Sequence, residues 1–206
     1  MSNVLAEKRQ LHALLLKHSV RFGEFTLVSG QKSTFYFDGK PVGLTGMGHK
    51  LIGTLFFDAM TSLERVSPFD ACGGVALGGV PLASALCMTA AFAGRELPMI
   101  IVRKEKKDHG TEGLVESGAG LSAGARVVLV EDVITTGGSA IRAAQALRAA
   151  GYVIDQVLCI LDRSQGKHEL GAHGMSLTTL FTLNDFVNAS EQPQTTSAKE
   201  GASCAK

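Results

Sequence analysis

The chain has no tryptophan, and aromatic residues make up only 6% of its 206 positions. A cluster of aromatics therefore stands out wherever it occurs. Charge of either sign is also missing in excess. Lys plus Arg number 20 against 19 Asp plus Glu, for a formal net charge of +1 at pH 7. That balance removes any global case for binding nucleic acid or an acidic membrane, so a basic site must be local. Cys72, Cys87, Cys159 and Cys204 include no CxxC pair, which leaves no zinc-ligand, redox or disulfide pattern. The first three sit in apolar runs and read as small buried hydrophobes, a usage that fits a reducing cytoplasm. No apolar run approaches membrane-spanning length, and Met1-Ser2-Asn3 does not open a signal peptide. The six histidines have no metal-ligand spacing. No internal repeat is visible. The signatures G-x-G-x-x-G, G-x-x-x-x-G-K-[ST], H-E-x-x-H and G-x-S-x-G are absent, which leaves dinucleotide, nucleoside-triphosphatase, metalloprotease and hydrolase readings without support.

What is present is a core-forming chain, 45% hydrophobic, of a length that suits one α/β domain. Residues 4–18 read as an amphipathic helix with Leu5, Leu11, Leu14 and Leu15 on its apolar side. Phe25 to Asp38 reads as two short strands around a Ser29-Gly30 turn. The aromatics Phe35, Tyr36 and Phe37 either bury in that hairpin or give a flat wall for a planar base. Thr45 is a candidate N-cap for a helix to Leu63, with Leu51, Ile52, Leu55, Phe56 and Met60 facing inward. Ala71–Ala76 is a small-residue strand, 77–81 a glycine-bearing loop, and Leu82–Gly94 a helix. Pro98–Val102 is another buried strand. From 103 to 120 no apolar period exists, and a long loop is expected, of a length that is often functional. Its charged start, Arg103 to Gly110, is either a solvated face or a ligand-binding segment. Val153–Leu161 and residues 175–182 are the last strands, and a short helix starts near Asn184. The polar stretch 190–206 is expected to be disordered.

The most informative stretch is Val127-Val128-Leu129-Val130-Glu131-Asp132-Val133-Ile134-Thr135-Thr136-Gly137-Gly138-Ser139. The apolar run reads as a buried parallel strand. The Thr-Thr-Gly-Gly-Ser run would turn into an alanine-rich helix, with Ser139 as N-cap. A helix start with open N–H groups is a phosphate cradle. The two acids suit hydroxyl groups of a ribose or a divalent cation. The plain alternative is a strand–turn–helix with two solvated acids. After the strand at 153–161, Arg163 stands where ligand-binding residues of parallel sheets stand. Its planar fork suits a carboxylate, and its plain alternative is a salt bridge with Asp162 or Glu169.

The thirteen-residue stretch resembles the phosphoribosyl-pyrophosphate (PRPP) motif of type I phosphoribosyltransferases. Two further segments narrow the resemblance to the orotate phosphoribosyltransferases: Phe25-Thr26-Leu27-Val28-Ser29-Gly30 leading into the aromatics, and Arg103-Lys104-Glu105-Lys106-Lys107-Asp108-His109-Gly110 after a strand. The likeness covers about residues 20–186. It implies an α/β fold of the type I kind, with a mostly parallel central sheet flanked by helices and an N-terminal hood. A single domain would span 1–189, with the hood largely 1–67 and the core 68–189. The implied reaction joins orotate and PRPP into orotidine 5′-monophosphate and pyrophosphate, in pyrimidine biosynthesis.

The resemblance also implies roles. Glu131 and Asp132 would hold the ribose hydroxyls, the backbone of Thr135, Thr136, Gly137, Gly138 and Ser139 would grip the 5′-phosphate, and Val133 and Ile134 would belong to the same PRPP-binding stretch. Arg103, Lys104, Lys107 and His109 would meet the pyrophosphate and act in catalysis. Tyr36, Phe37, Thr135 and Arg163 would meet orotate. Mg²⁺ would be held mainly by PRPP and pyrophosphate oxygens, with no protein metal ligand. A cytoplasmic homodimer with shared active sites is implied, and no nucleic-acid or membrane partner. Val28 and Gly78 stand where many members carry lysine; Lys32 and Lys40 are the nearby cations. A phosphoribosyltransferase for another base, or a PRPP sensor that binds RNA or DNA, are the competing readings.

Overall fold

The computed structural model describes residues 2–26, 32–64, 67–103 and 114–190. The chain opens with helix α1 (Ser2–His18) and an antiparallel pair, β1 (Val20–Thr26) and β2 (Lys32–Phe37). The turn between them lies outside the described residues. A four-residue helix, α2 (Lys40–Gly43), leads to α3 (Gly46–Leu63). Then come β3 (Ala71–Val75), α4 (Gly79–Phe92), β4 (Met99–Val102), β5 (Val115–Ser117), β6 (Arg126–Ile134), α5 (Gly138–Ala149), β7 (Val153–Asp162), β8 (Ser176–Thr182) and α6 (Leu183–Ser190). Of the tail expected from 190 onward, only Ser190 is described, as the last residue of α6.

The main sheet has the order β5-β4-β3-β6-β7-β8. All neighbours are parallel except β4 and β5. The expected α/β class with a mostly parallel, helix-flanked sheet is therefore what the chain builds. The pleat explains the two sides. Along β6, Val128 and Val130 join a core with Leu11, Leu15, Phe56 and Leu86, from α1, α3 and α4. Val127 and Leu129 join a second core with Ile141, Ala144 and Leu147 of α5. Burial on both faces is why the strand reads as an unbroken apolar run. Phe35 and Phe37 of β2 belong to the first core, so the N-terminal hairpin packs as part of it.

Several local expectations hold. In α3, Leu51, Ile52, Leu55, Phe56 and Met60 are all buried. The Thr45 hydroxyl caps that helix by accepting the Gly48 N–H at 3.0 Å. Thr45→Ala should therefore cost about 1 kcal/mol and lower Tm by about 2–4 °C in a melting experiment, with activity retained. Cys72 and Cys159 are buried and Cys87 half-buried, all three free thiols. Burial pushes the Cys159 thiol up to about 12, which suits a small hydrophobe rather than a nucleophile.

Other expectations are corrected. Leu5 is 60% exposed and does not join the apolar side of α1. The stretch 103–120 is not all loop, because Val115–Ser117 pairs with β4, Val102 opposite Val115. Three residues are too short to show a period. Helix α4 starts at Gly79 rather than Leu82, since Pro81 is tolerated in a first turn where its missing N–H costs nothing. Ser139 is not the N-cap of α5. Gly137 takes that place in the left-handed region, at φ 87°.

Candidate active site

From β3 the chain passes through α4 to β4 on one side, then returns to β6 on the other. The carboxyl ends of β3 and β6 thus border a topological switch point, the place where α/β sheets bind ligands. Strand β6 runs straight through the acids. Glu131 pairs with Cys159 and Ile134 with Asp162 of β7. Thr135 and Thr136 follow, exposed, and then the Gly137 turn. The turn is braced from behind: the Thr136 carbonyl accepts the Glu169 N–H at 3.1 Å. A Cβ built on Gly137 would come within 3.0 Å of Leu170. Helix α5 begins there with no side-chain hydrogen bond from its N-cap. Its first-turn N–H groups, with the positive end of the helix dipole, form a cradle for an anion.

Asp132 lies between two glycines distant in sequence. A Cβ on Gly39 would fall 2.9 Å from Asp132 Cβ, and one on Gly78 would fall 2.9 Å from Asp132 Oδ2. Both segments approach the carboxylate because neither carries a side chain there. The Asp132 Oδ1 accepts the Val133 N–H at 2.9 Å. Burial lifts the Asp132 carboxyl above its ordinary range, and the Lys40 charge and the Val133 N–H pull it back. Glu131 faces the other side of the pleated strand and is only 6% exposed.

Arg163 follows the end of β7. Its Nη2 donates to Ser33 Oγ at 3.3 Å and to the Phe35 carbonyl at 3.2 Å, both on β2. Its guanidinium lies 5.3 Å from the Phe35 ring centre. Neither Asp162 nor Glu169 pairs with it among the described residues, and Asp162 Oδ1 instead accepts the Ser164 N–H at 2.7 Å. The surface salt-bridge alternative therefore fails. Burial pushes the Arg163 guanidinium below its ordinary value, the mark of a cation held partly away from water.

The aromatics divide differently from the expectation. Tyr36 and Phe37 point to opposite faces of β2. Phe37 is 6% exposed and packs near Phe186, while Tyr36 is 37% exposed beside Phe25. They do not form one wall. Phe35 and Ser33 are the β2 residues that meet Arg163, and sequence reasoning missed both. The period of two in Phe35-Tyr36-Phe37 was the available signal.

Arg103, at the end of β4, donates through Nε and Nη2 to Glu116 Oε1 at 3.1 and 2.7 Å. With Ser139 and Arg142 it borders a cavity of about 90 Å³ beside the start of α5. Lys104, Lys107 and His109 lie outside the described residues, as does Val28. No helix among the described residues is long and apolar enough to cross a membrane.

Comparison with known proteins places this geometry. A family model, the phosphoribosyl transferase domain, matches residues 70–194. The orotate phosphoribosyltransferase of Thermosynechococcus vestitus is 45% identical over 189 residues, covering 90% of this chain and 96% of that protein. The one from Sorangium cellulosum is 43% identical over 183 residues, covering 88% and 94%. Among solved structures, Mycobacterium tuberculosis orotate phosphoribosyltransferase with Fe(III) dicitrate superposes with a TM-score of 0.72 at 32% identity, over 87% of this chain and 98% of that one. The same enzyme in complex with PRPP gives a TM-score of 0.66 at 27% identity, over 88% and 92%. The chain belongs to the phosphoribosyltransferase family, and within it to the orotate phosphoribosyltransferases.

Proposed function

We propose that this protein transfers the 5-phosphoribosyl group of PRPP to orotate, giving orotidine 5′-monophosphate and pyrophosphate, in pyrimidine biosynthesis. One observation carries the reading. An acid-bearing strand runs into a helix start whose N-cap makes no side-chain hydrogen bond, and an arginine with no acidic partner among the described residues follows the neighbouring strand, all at the carboxyl end of the sheet. Those are complementary to a sugar diol, a phosphate and a carboxylate.

The C1–O bond to pyrophosphate breaks as the orotate ring nitrogen bonds to C1; pyrophosphate leaves with the electron pair, and the proton of the ring nitrogen passes to water or to a pyrophosphate oxygen. The protein must hold the partners in line and meet the charge that develops. Asp132, with Glu131 before it on β6, would take the ribose diol. The Thr135–Ser139 turn would take the 5′-phosphate. Arg163 would take the orotate carboxylate, with Thr135 at the same end. Arg103, Lys104, Lys107 and His109 would neutralise the leaving pyrophosphate, a proton from His109 included. Lys107→Ala should accordingly lower kcat by about tenfold or more while changing PRPP affinity less, as steady-state kinetics would read. An unchanged kcat would remove Lys107 from the chemistry.

Mg²⁺ requires about six hard oxygen ligands. The carboxylates of Asp132 and Glu131 are the acids this site offers, which fits an ion carried mainly by the oxygens of PRPP and by water. When bound, it supplies charge neutralisation at the diphosphate. A homodimer with shared active sites is part of the proposal. It is supported by an apolar exposed face near α3 and α4, where Leu44, Met47, Leu77, Met88 and Phe92 are 66, 47, 75, 59 and 84% exposed. A cytoplasmic location completes it.

The test is loss of orotate ultraviolet absorbance with PRPP and Mg²⁺, run beside adenine, hypoxanthine and uracil. Turnover of orotate alone is expected. Turnover of another base would keep the PRPP site and overturn the substrate.

A further inference from the structure

We propose that Lys40, carried by the N-terminal layer, binds the diphosphate group of PRPP at the turn after β3. The inference rests on the reading above and adds a residue that the motif does not contain.

The phosphoribosyl ring supplies the first step. Its two hydroxyl carbons lie between the carbon bearing the 5′-phosphate arm and the carbon bearing the diphosphate. With the diol on Asp132 and the 5′-phosphate at the start of α5, the diphosphate falls on the opposite flank of Asp132. That flank is the one formed by Gly78 and Gly39. Gly78 is the N-cap of the fourteen-residue helix α4 and offers no side-chain cap, so open N–H groups face this flank as well.

A diphosphate carries several negative charges, so a cation on this flank adds to those that Arg103, Lys104, Lys107 and His109 would bring. Lys40 immediately follows Gly39, where an added Cβ would fall 2.9 Å from Asp132 Cβ, so the backbone carrying Lys40 passes close to that residue. The Lys40 field reaches Asp132, where it is the leading cation acting on that carboxyl.

Lys40 is also held ready without being consumed. One oxygen of Asp38 accepts both its backbone N–H, at 3.0 Å, and its ammonium, at 2.7 Å. The lysine side chain is 46% exposed, and a pair that open to water is weakly held. A diphosphate, with more charge and more acceptor oxygens than one carboxylate, can take the ammonium from Asp38. The four-carbon stem lets the head move while the backbone stays on the Asp38 carboxylate.

The experiment compares Lys40→Ala, Lys40→Arg and Asp38→Asn with the wild-type full chain. It measures KM for PRPP, KM for orotate, product inhibition by pyrophosphate, and Tm. For Lys40→Ala, KM for PRPP and Ki for pyrophosphate should each rise about tenfold, with orotate KM within about twofold. Lys40→Arg should restore part of the pyrophosphate affinity, and Asp38→Asn should leave it intact or tighten it. Pyrophosphate has no ribose, so a lysine that only balanced Asp132 would leave its Ki unchanged; that result overturns the proposal. Equal losses in Lys40→Ala and Asp38→Asn, with matching falls in Tm, would also overturn it by making the pair structural. Wild-type protein inert toward PRPP would instead overturn the parent reading, a failure seen before any variant is compared.

Discussion

Gly78→Ala is expected to lower kcat/KM for PRPP by about a hundredfold while leaving Tm nearly unchanged, since a misplacement near 1 Å at reacting groups carries a cost of that order. The added Cβ would meet Asp132 Oδ2, Cγ and Oδ1 at 2.9, 3.0 and 3.1 Å. All three atoms belong to the free end of one side chain, which can swing away. The fold therefore tolerates the change. Gly78 sits at φ −65° and ψ −40°, a conformation alanine adopts without strain, and replacing glycine there restricts the unfolded chain. The site does not tolerate it, because the swing takes the carboxylate from the diol. Gly39→Ala should behave differently. Its Cβ would strike Asp132 Cβ at 2.9 Å, and that atom cannot move without the strand. Both Tm and activity should fall. A Gly78→Ala enzyme with full activity would show that the carboxylate is not needed where it stands.

Arg163→Ala is expected to lower kcat/KM for orotate by about a hundredfold, the upper range for losing a hydrogen bond to a charged group, with KM for PRPP little changed. The guanidinium is half-buried, and its two hydrogen bonds to Ser33 and Phe35 run to neutral acceptors. Charge therefore remains available to a carboxylate. Arg163→Lys should rescue little, because a point charge cannot hold β2 and a ligand together as a planar fork does. An unaffected orotate KM would reduce Arg163 to a fastener for the hairpin. Tm should fall as well, since a hydrogen bond from a charged donor contributes roughly 1.5–3 kcal/mol.

The sheet was legible because burial on both faces writes itself as an apolar run, as in Val127–Val130 and Val157–Leu161. Helix α3 was legible through its period and its Thr45 cap. What was not legible depends on contacts between distant residues. Nothing in the local sequence says that Gly39 and Gly78 close on Asp132, or that Arg163 reaches Ser33 across 130 positions. The placement of Phe35 beside Arg163 needs the register of β2 against the core. The cap of α5 was misread because Ser139 satisfies the residue preference while Gly137 satisfies the backbone, and the turn required a positive φ. For the charged segment after Arg103, the sequence pattern supplies residue types but not positions.

The stems of that segment have a consequence of their own. The Arg103 N–H donates to the Leu114 carbonyl at 2.8 Å, and its guanidinium grips Glu116. The chain thus departs from the sheet and comes back to it on the same rung. Whatever length or composition lies between, the strands on either side keep their register, and ring closure grows only slowly more costly with each added residue. The insert is modular in the sense that a cassette is. A change of sequence between Arg103 and Leu114 leaves both contacts, and with them the pairing of β4 with β5, in place.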